Sequence, residues 1–172
     1  MSGFTFSEVQ ENQLIQLQNL AEKTFRATYQ HLNDPITFEI YINEKLSMAA
    51  IVEQWQQKDS RFYLAWQEQE VVGYYKINLQ KGIDKLSGVN SVELERIYLD
   101  QALQGNGYGA QLIKDAQLKA KAASFEWIWL GVWSENPRAI RFYEKHGFRI
   151  FSEYTFMMGP EAQRDFLMCK KL

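Results

Sequence analysis

The spacing of apolar residues predicts a short strand and three helices in the first third of the chain. Residues 4–9 indicate the strand, and apolar positions recur at helical spacing over residues 14–28. Asp34 followed by Pro35 predicts the start of a second helix, and Ser47 predicts the start of a third. The residues expected on their apolar faces are Leu14, Leu17, Leu20, Ala21, Phe25 and Thr28, then Ile36, Ile40 and Tyr41, then Ile51, Val52 and Trp55.

Strand patterns dominate the middle of the chain. Residues 61–66 and 71–77 are rich in β-formers around a polar turn, which predicts an antiparallel hairpin. Residues 92–99 predict the next strand and residues 110–122 an amphipathic helix. Residues 127–133 are apolar on both alternating faces, which favours a central strand covered on both sides. The strand–helix–strand order predicts a right-handed crossover that makes its two strands parallel.

The C-terminal part predicts one short helix and a second hairpin. Asn136 and Pro137 are typical of a helix start, and Gly147 is typical of a helix end. Residues 148–157 and 165–170 then predict two antiparallel strands. The full order predicts an α/β (α+β) fold in a single domain of 172 residues, with a mixed sheet that is antiparallel except at one strand pair.

Composition excludes several classes of protein. The 46% hydrophobic and 15% aromatic content excludes a disordered chain, and the net charge of −2 gives no sign of nucleic-acid binding. Cys169 is the one cysteine, which excludes a disulfide framework and a thiolate metal cluster and fits a reducing compartment. The first residues lack a signal-peptide pattern and no apolar run reaches membrane-spanning length, so we expect a cytoplasmic protein. We also expect no metal site.

The most specific motif is a glycine-rich segment, residues 104–109, which reads Gln-Gly-Asn-Gly-Tyr-Gly between a predicted strand and a predicted helix. Glycines allow close backbone approach, and a helix start presents unpaired N–H groups, so the segment predicts a phosphate site. A ligand-free turn is the alternative. A dinucleotide fold fits Gly105, Gly107 and Ala110 but is disfavoured, because residues 100–104 separate the strand from the glycines. A P-loop is excluded, because no Lys-Ser or Lys-Thr follows.

Two segments resemble signatures of the GNAT acetyltransferases. Gln104, Gly107 and Gly109 match the family's [QR]-x-x-G-x-[GA] motif, and residues 136–148 are similar to N-x-x-A-x-x-F-Y-x-x-x-G-F. The resemblance implies acetyl-CoA as donor, a splayed parallel strand pair and helices on both faces of the sheet. By the same resemblance, the residues at the cofactor would be Ile97, Tyr98 and Leu99 at the pantetheine arm, Gln104, Gly105, Asn106, Gly107, Tyr108 and Gly109 at the pyrophosphate, and Asn136, Arg138 and Tyr143 on the other wall. Arg138 and Arg141 would either contact phosphates or be solvated charges.

Three side chains are candidates for proton transfer. Tyr143 is the candidate acid for the departing CoA thiolate, whose thiol has a pKa of roughly 8.5. Its alternative role is packing. Glu93 is the candidate base, and Glu95 shares its strand parity and therefore its face. The two carboxylates would otherwise attract a cationic amine or have no role.

The outer segments resemble the PaiA-type polyamine acetyltransferases, on residues 24–29, 33–35, 156–159 and 164–168. This resemblance implies spermidine or spermine as acceptor. Carboxylates and aromatic rings suit a polyamine, and the available ones are Asp34, Glu39, Glu44, Glu93 and Glu95 with Tyr29 and Tyr41. The alternatives are ordinary solvated charges, a protein N-terminal, lysine or other small amine as acceptor, and an acyl-CoA sensor without catalysis. A homodimer is compatible with the aromatic content.

Overall fold

The computed structural model describes residues 3–79 and 84–172. In these residues the strands are β1 Thr5–Glu8, β2 Ser60–Gln67, β3 Glu70–Asn78, β4 Ser91–Leu99, β5 Trp127–Trp133, β6 Arg149–Met158 and β7 Glu161–Lys171. The α-helices are α1 Leu14–Tyr29, α2 Pro35–Lys45, α3 Met48–Gln56, α4 Tyr108–Ala122 and α5 Pro137–Lys145. These elements confirm the order predicted from the sequence. None of these helices combines the length and the apolar character needed to cross a bilayer.

The seven strands form one sheet in the order β1-β2-β3-β4-β5-β7-β6. Every neighbouring pair is antiparallel except β4 and β5, which are parallel and joined by α4. This confirms the predicted mixed sheet and the central position of β5. The last strand, β7, inserts between β5 and β6, so that the C-terminal hairpin extends the sheet beyond the parallel pair.

The parallel strands separate after a short contact. They pair only from Ser91 opposite Trp127 to Glu93 opposite Trp129. Beyond Glu93, β4 keeps its pairing with β3 as far as Leu99, while β5 keeps its pairing with β7. The facing edges of β4 and β5 therefore diverge, and a wedge-shaped opening lies in the middle of the sheet. This confirms the splayed pair.

A β-bulge interrupts the pairing of β4 with β3. Lys76 pairs with Arg96, but the next residue, Ile77, pairs with Leu94, so Glu95 is an extra residue in β4. A bulge of this kind places two consecutive side chains on one side of the strand and reverses the alternation beyond it. The strict alternation of side chains between the two faces of the sheet therefore breaks at Glu95, and it does not predict the faces of the β4 residues that follow.

The bulge decides which side chains share the face of Glu93. Glu95 lies on the same face as Glu93, as their common parity predicted. Both carboxylates accept hydrogen bonds from the Asn78 side-chain amide. Arg96 and Tyr98 also lie on this side, where Tyr98 packs with α1 and α2 residues. Ile97 points to the opposite side and packs in the cluster that contains α4. Without the bulge, Ile97 would share the face of the glutamates.

The helices cover the sheet on both faces. α1, α2 and α3 pack on one face around Leu17, Phe38 and Ile51, while α4 and α5 pack on the other. Asp34 and Ser47 cap α2 and α3 as predicted, accepting hydrogen bonds from the N–H groups of Thr37 and Ala50.

The predicted apolar face of α2 is wrong in two positions. Ile36 is 74% exposed and Ile40 is 38% exposed, whereas Thr37, Phe38 and Ile42 are buried. Helical spacing predicted that one apolar stripe of α2 is buried. It could not show which side of α2 faces α1 and the C-terminal hairpin. The hairpin approaches α2 at Thr37 and Ile40, so tertiary contacts and not helical spacing decide how far each position of α2 is buried.

Candidate active site

A cavity of about 920 Å³ lies at the opening between β4 and β5. It is lined from the sheet, from α1 to α3 on one side and from α4 and α5 on the other. Most of the predicted site residues line it: Glu93, Glu95, Ile97, Tyr98, Leu99, Gln104, Gly105, Gly107, Gly109, Asn136, Arg138 and Tyr143. Asn106 and Tyr108 do not, and the Tyr108 ring stacks on Phe4 with 4.6 Å between ring centroids.

The glycine loop meets the cavity with its backbone. Gly105 and Gly107 have φ angles of +90° and +79°, which favour glycine, and a Cβ built on either would meet no atom within 4 Å. Within residues 3–79 and 84–172, the N–H groups of Gly105, Asn106 and Gly107 donate no hydrogen bond. The Gln104 amide donates to the Leu99 carbonyl at 3.1 Å and fixes the loop to the end of β4. Open space, unbonded amides and the start of α4 together fit a pyrophosphate.

Gly109 has a different physical role from the other two glycines. A Cβ at this position would lie 3.2 Å from the Phe142 ring. The close contact of α4 with α5 therefore requires a small residue there. This contact holds the start of α4 against the wall that carries Tyr143.

The first residues of α5 form the opposite wall of the cavity. The Asn136 side chain accepts a hydrogen bond from the Ala139 N–H at 3.1 Å and caps α5, as predicted. The Asn136 side chain also lowers the pKa of the nearby Tyr29 phenol, against the larger effect of burial, which raises it. Arg138 lines the cavity, whereas Arg141 is exposed and does not. Of the two arginines, only Arg138 reaches the cavity.

Tyr143 faces the cavity from the middle of α5. Its ring packs edge-on against Phe142 and Phe148, with centroid separations of 5.4 Å and 5.9 Å. Burial raises the pKa of the Tyr143 phenol, and the nearby Tyr29 phenol adds to this effect. The hydroxyl therefore stays protonated at neutral pH and is available as a hydrogen-bond donor.

The two glutamates of β4 lie in different environments. Glu93 is 6% exposed and accepts a hydrogen bond from the Asn78 amide at 2.6 Å. Glu95 accepts from the same amide and from the Lys76 ammonium at 2.8 Å. Burial alone raises the pKa of Glu95, but the Arg96 and Lys76 charges and these hydrogen bonds outweigh it and lower the pKa to about 2. Glu95 is thus a weak proton acceptor at neutral pH.

The acidic residues predicted for the acceptor side do not all converge. Glu44 lines the cavity together with Glu93 and Glu95. Asp34 instead caps α2 and lies outside the cavity lining. Glu39 is exposed and binds the Arg26 guanidinium through two hydrogen bonds of 2.5 Å and 2.9 Å. The Arg26 guanidinium holds the pKa of Glu39 below its ordinary value. Tyr29 and Tyr41 both line the cavity, as the acceptor hypothesis requires.

Asp165 is a cavity residue that the sequence interpretation did not select. It lies in β7 opposite Trp133 of β5 and Tyr154 of β6, and it is 8% exposed. Burial raises its pKa to about 6, against the opposing effect of a hydrogen bond from the Tyr154 hydroxyl. A signal was present, because Asp165 occupies the same face of β7 as the fully buried Leu167. A charged residue at an inward position of a strand is a functional candidate.

Metal-ligand side chains do not cluster in the part of the chain that the structure describes: no three His, Cys, Asp or Glu residues there could hold an ion. Cys169 lies on β7 outside the cavity lining, and burial raises the pKa of its thiol. His31 is exposed.

Sequence comparison places the chain among acetyltransferases. The family model described as "Acetyltransferase (GNAT) family" matches residues 14–148. An uncharacterized N-acetyltransferase of Lactobacillus delbrueckii subsp. lactis, from the pepI 3′ region, is 31% identical over 172 residues, which is 100% of this chain and 99% of that protein. The spermine/spermidine N(1)-acetyltransferase of Bacillus subtilis is 30% identical over 90 residues, covering 52% of this chain and 59% of that protein.

Structural comparison agrees with the sequence relatives. The PaiA N-acetyltransferase of Thermoplasma acidophilum, solved in complex with coenzyme A, superposes with a TM-score of 0.78 at 23% identity over 100% of both chains. This likeness concerns the fold. Together with the splayed strands, the glycine loop and the family match, it shows that the chain belongs to the GNAT family and is an acetyl-CoA-dependent N-acetyltransferase.

Proposed function

We propose that the protein acetylates a linear polyamine such as spermidine or spermine. The observation that carries this proposal is the continuity of the cavity, which runs from the glycine loop to a wall of carboxylates and aromatic rings. That wall includes Glu44, Glu53, Glu93, Asp165 and the phenol of Tyr41. Ammonium groups bind carboxylates, and methylene chains pack on aromatic faces, so this wall suits an alkyl polycation.

The sequence relatives support the same substrate class. The Bacillus subtilis enzyme named for spermine and spermidine aligns with about half of this chain. An acceptor with several ammonium groups also explains why the acceptor side holds more carboxylates than a single amine requires. Glu44 and Glu53 lie on α2 and α3, separate from the two glutamates of β4.

In this proposal the glycine loop and α5 hold the nucleotide end of acetyl-CoA. The backbone N–H groups of residues 104–109 bind the pyrophosphate, and Arg138 supplies a cation beside it. Beyond Glu93, the β4 edge that faces the opening pairs with no strand in residues 3–79 and 84–172. The backbone groups of Ile97, Tyr98 and Leu99 on this edge bind the pantetheine arm. One of these N–H groups polarises the thioester carbonyl.

Tyr143 acts as the acid in this proposal. It faces the cavity from α5, opposite β4, and its phenol is protonated at neutral pH. A donor in this position delivers a proton to the departing thiolate. Glu93 and Glu95 make the acceptor side negative and attract the cationic amine. The positive charges of Lys76 and Arg96 lower the pKa of Glu95, so that its carboxylate stays ionised. They also offset part of its negative charge.

A substrate panel tests the proposal. CoA release would be followed with acetyl-CoA and spermidine, spermine, putrescine, a lysine peptide and an N-terminal peptide. We expect kcat/KM for spermidine or spermine to exceed that of the other amines by at least about tenfold, which corresponds to about 1.4 kcal/mol in the transition state. A peptide as the best substrate would overturn the polyamine assignment and favour protein acetylation. Tight acetyl-CoA binding without turnover of any amine would indicate a sensor.

A further inference from the structure

We infer that Asp165 is the base that removes a proton from the acceptor ammonium, an inference that rests on the proposed amine acetylation. Its carboxylate lines the cavity from β7, the strand that borders β5 on the side away from the opening. Among the described residues, Oδ1 of Asp165 is shielded from solvent and has no hydrogen-bond partner. A buried acceptor atom without a donor is costly, and an ammonium N–H would satisfy it once the carboxylate turns toward the cavity that Asp165 lines.

The surroundings of Asp165 suit a neutral-pH base. The titratable groups that face it are the phenols of Tyr154 on β6, Tyr29 on α1 and Tyr41 on α2. No cation among the described residues contributes to its pKa, which burial raises to about 6. The carboxyl is therefore ionised at pH 7 and much more basic than Glu95.

Tyr154 lies beside this carboxylate and lowers its pKa, and Gly131 makes room for the Tyr154 phenol. A Cβ built on Gly131 would lie 2.9 Å from the Tyr154 hydroxyl oxygen and 3.2 Å from a ring carbon. A side chain at this point of β5 would push the Tyr154 phenol away from its present position beside Asp165. Trp133, which pairs with Asp165 across β5 and β7, packs edge-on against Tyr29 at 6.3 Å between ring centroids. An aromatic wall thus surrounds the carboxylate and suits a cation.

The proton inventory balances with these groups. The Asp165 carboxylate takes one proton from the ammonium. The nitrogen lone pair then forms the C–N bond to the acetyl carbon while the π pair of the C=O bond moves onto oxygen, and this pair re-forms the carbonyl as the thiolate leaves. The C–S bond then breaks and leaves its electron pair on sulfur. Tyr143 protonates that sulfur and regains a proton from the nitrogen, which becomes the amide. Asp165 finally releases its proton to water, so the sum is ammonium plus acetyl-CoA giving amide, CoA and one proton.

The test is the pH profile of kcat/KM for Asp165→Asn with the best amine of the panel. In the wild type, kcat/KM should rise with pH to a plateau, with an apparent pKa near 6. Asp165→Asn should lose at least about 10²-fold at pH 7.5, and its rate should follow the free amine, rising tenfold per pH unit toward the amine pKa of about 10.4. Glu153→Gln, an exposed carboxylate on the neighbouring strand, is the matched control and should keep the wild-type profile.

Two further variants keep the inference testable if Asp165→Asn does not fold. Tyr154→Phe removes the hydroxyl that lowers the pKa of Asp165, and Gly131→Ala displaces it, so the acidic limb of the pH profile should move to higher pH in both. An acid limb that stays in place in both variants, or that disappears only in Glu93→Gln, would overturn the assignment. If the wild type acetylates no amine, the proposed function fails instead, which separates the two hypotheses.

Discussion

The Lys76 ammonium lies 2.8 Å from a carboxylate oxygen of Glu95 inside the cavity. The Lys76 side chain is 4% exposed and that of Glu95 is 25% exposed. The pair lies at the bulge of β4, where Lys76 opposes Arg96. Because the pKa of Glu95 falls from 4.5 to about 2, the stabilisation is fully present above pH 4.5 and is lost as the pH falls toward 2.

We expect Glu95→Gln to lower the free energy of unfolding by about 3 kcal/mol at pH 7, since it leaves the buried Lys76 ammonium without its carboxylate. Urea unfolding at pH 7 and pH 3.5 measures the effect, which should be smaller at pH 3.5. Glu8→Gln is the control, because the Glu8–Arg61 pair of 3.4 Å is exposed and should change stability by less than about 1 kcal/mol. An equal loss at both pH values would show that charge pairing is not the cause.

Tyr143→Phe should reduce turnover by roughly 10²-fold and leave the affinity for acetyl-CoA unchanged, because it removes only the donated proton. Steady-state kinetics and calorimetry measure the two quantities. Tyr63→Phe is the control, since Tyr63 is buried but does not line the cavity. Because burial raises the pKa of Tyr143, the wild type should show no loss of rate from phenol ionisation up to about pH 10. An unchanged turnover in Tyr143→Phe would remove its role as the acid.

Gly107→Ala should weaken acetyl-CoA binding at least about tenfold, or about 1.4 kcal/mol, because a side chain disturbs the loop amides. It should also cost about 1 kcal/mol of stability through its positive φ angle. Gly88→Ala is the matched control, with a φ angle of +77° and no atom within 4 Å of its Cβ. Calorimetry should find normal acetyl-CoA affinity in that variant. Equal losses of affinity in both would indicate general destabilisation.

Asn136→Ala should cost about 1 kcal/mol of stability by removing the cap of α5. It should also weaken acetyl-CoA binding about fivefold, or ~1 kcal/mol, since Asn136 lines the cavity and holds Tyr29. Asp34→Ala removes a similar cap from α2, outside the cavity, and should lose stability alone. Thermal unfolding and calorimetry on both variants separate the two effects. If Asn136→Ala binds acetyl-CoA normally, Asn136 is a helix cap only.

Local chemistry determined the element order and the conformation of the glycine loop from the sequence alone. Asp34, Ser47 and Asn136 cap helices as their side-chain chemistry predicts, because a cap needs only its own next few residues. Gly105 and Gly107 adopt positive φ angles for an equally local reason. The parallel crossover followed from chain length and handedness.

Tertiary structure decided what depends on distant partners. The bulge at Glu95 arises from the register in which β4 pairs with β3, and the sequence of β4 alone does not reveal that register. The bulge turns Arg96 and Tyr98 toward the cavity. The buried stripe of α2 depended on where the C-terminal hairpin lies, so Ile36 was misplaced. Asp165 became a cavity residue because β7 inserts between β5 and β6, and its neighbours come from β5, β6, α1 and α2. Pairing and burial join residues far apart in the chain, and these contacts exist only in the folded state.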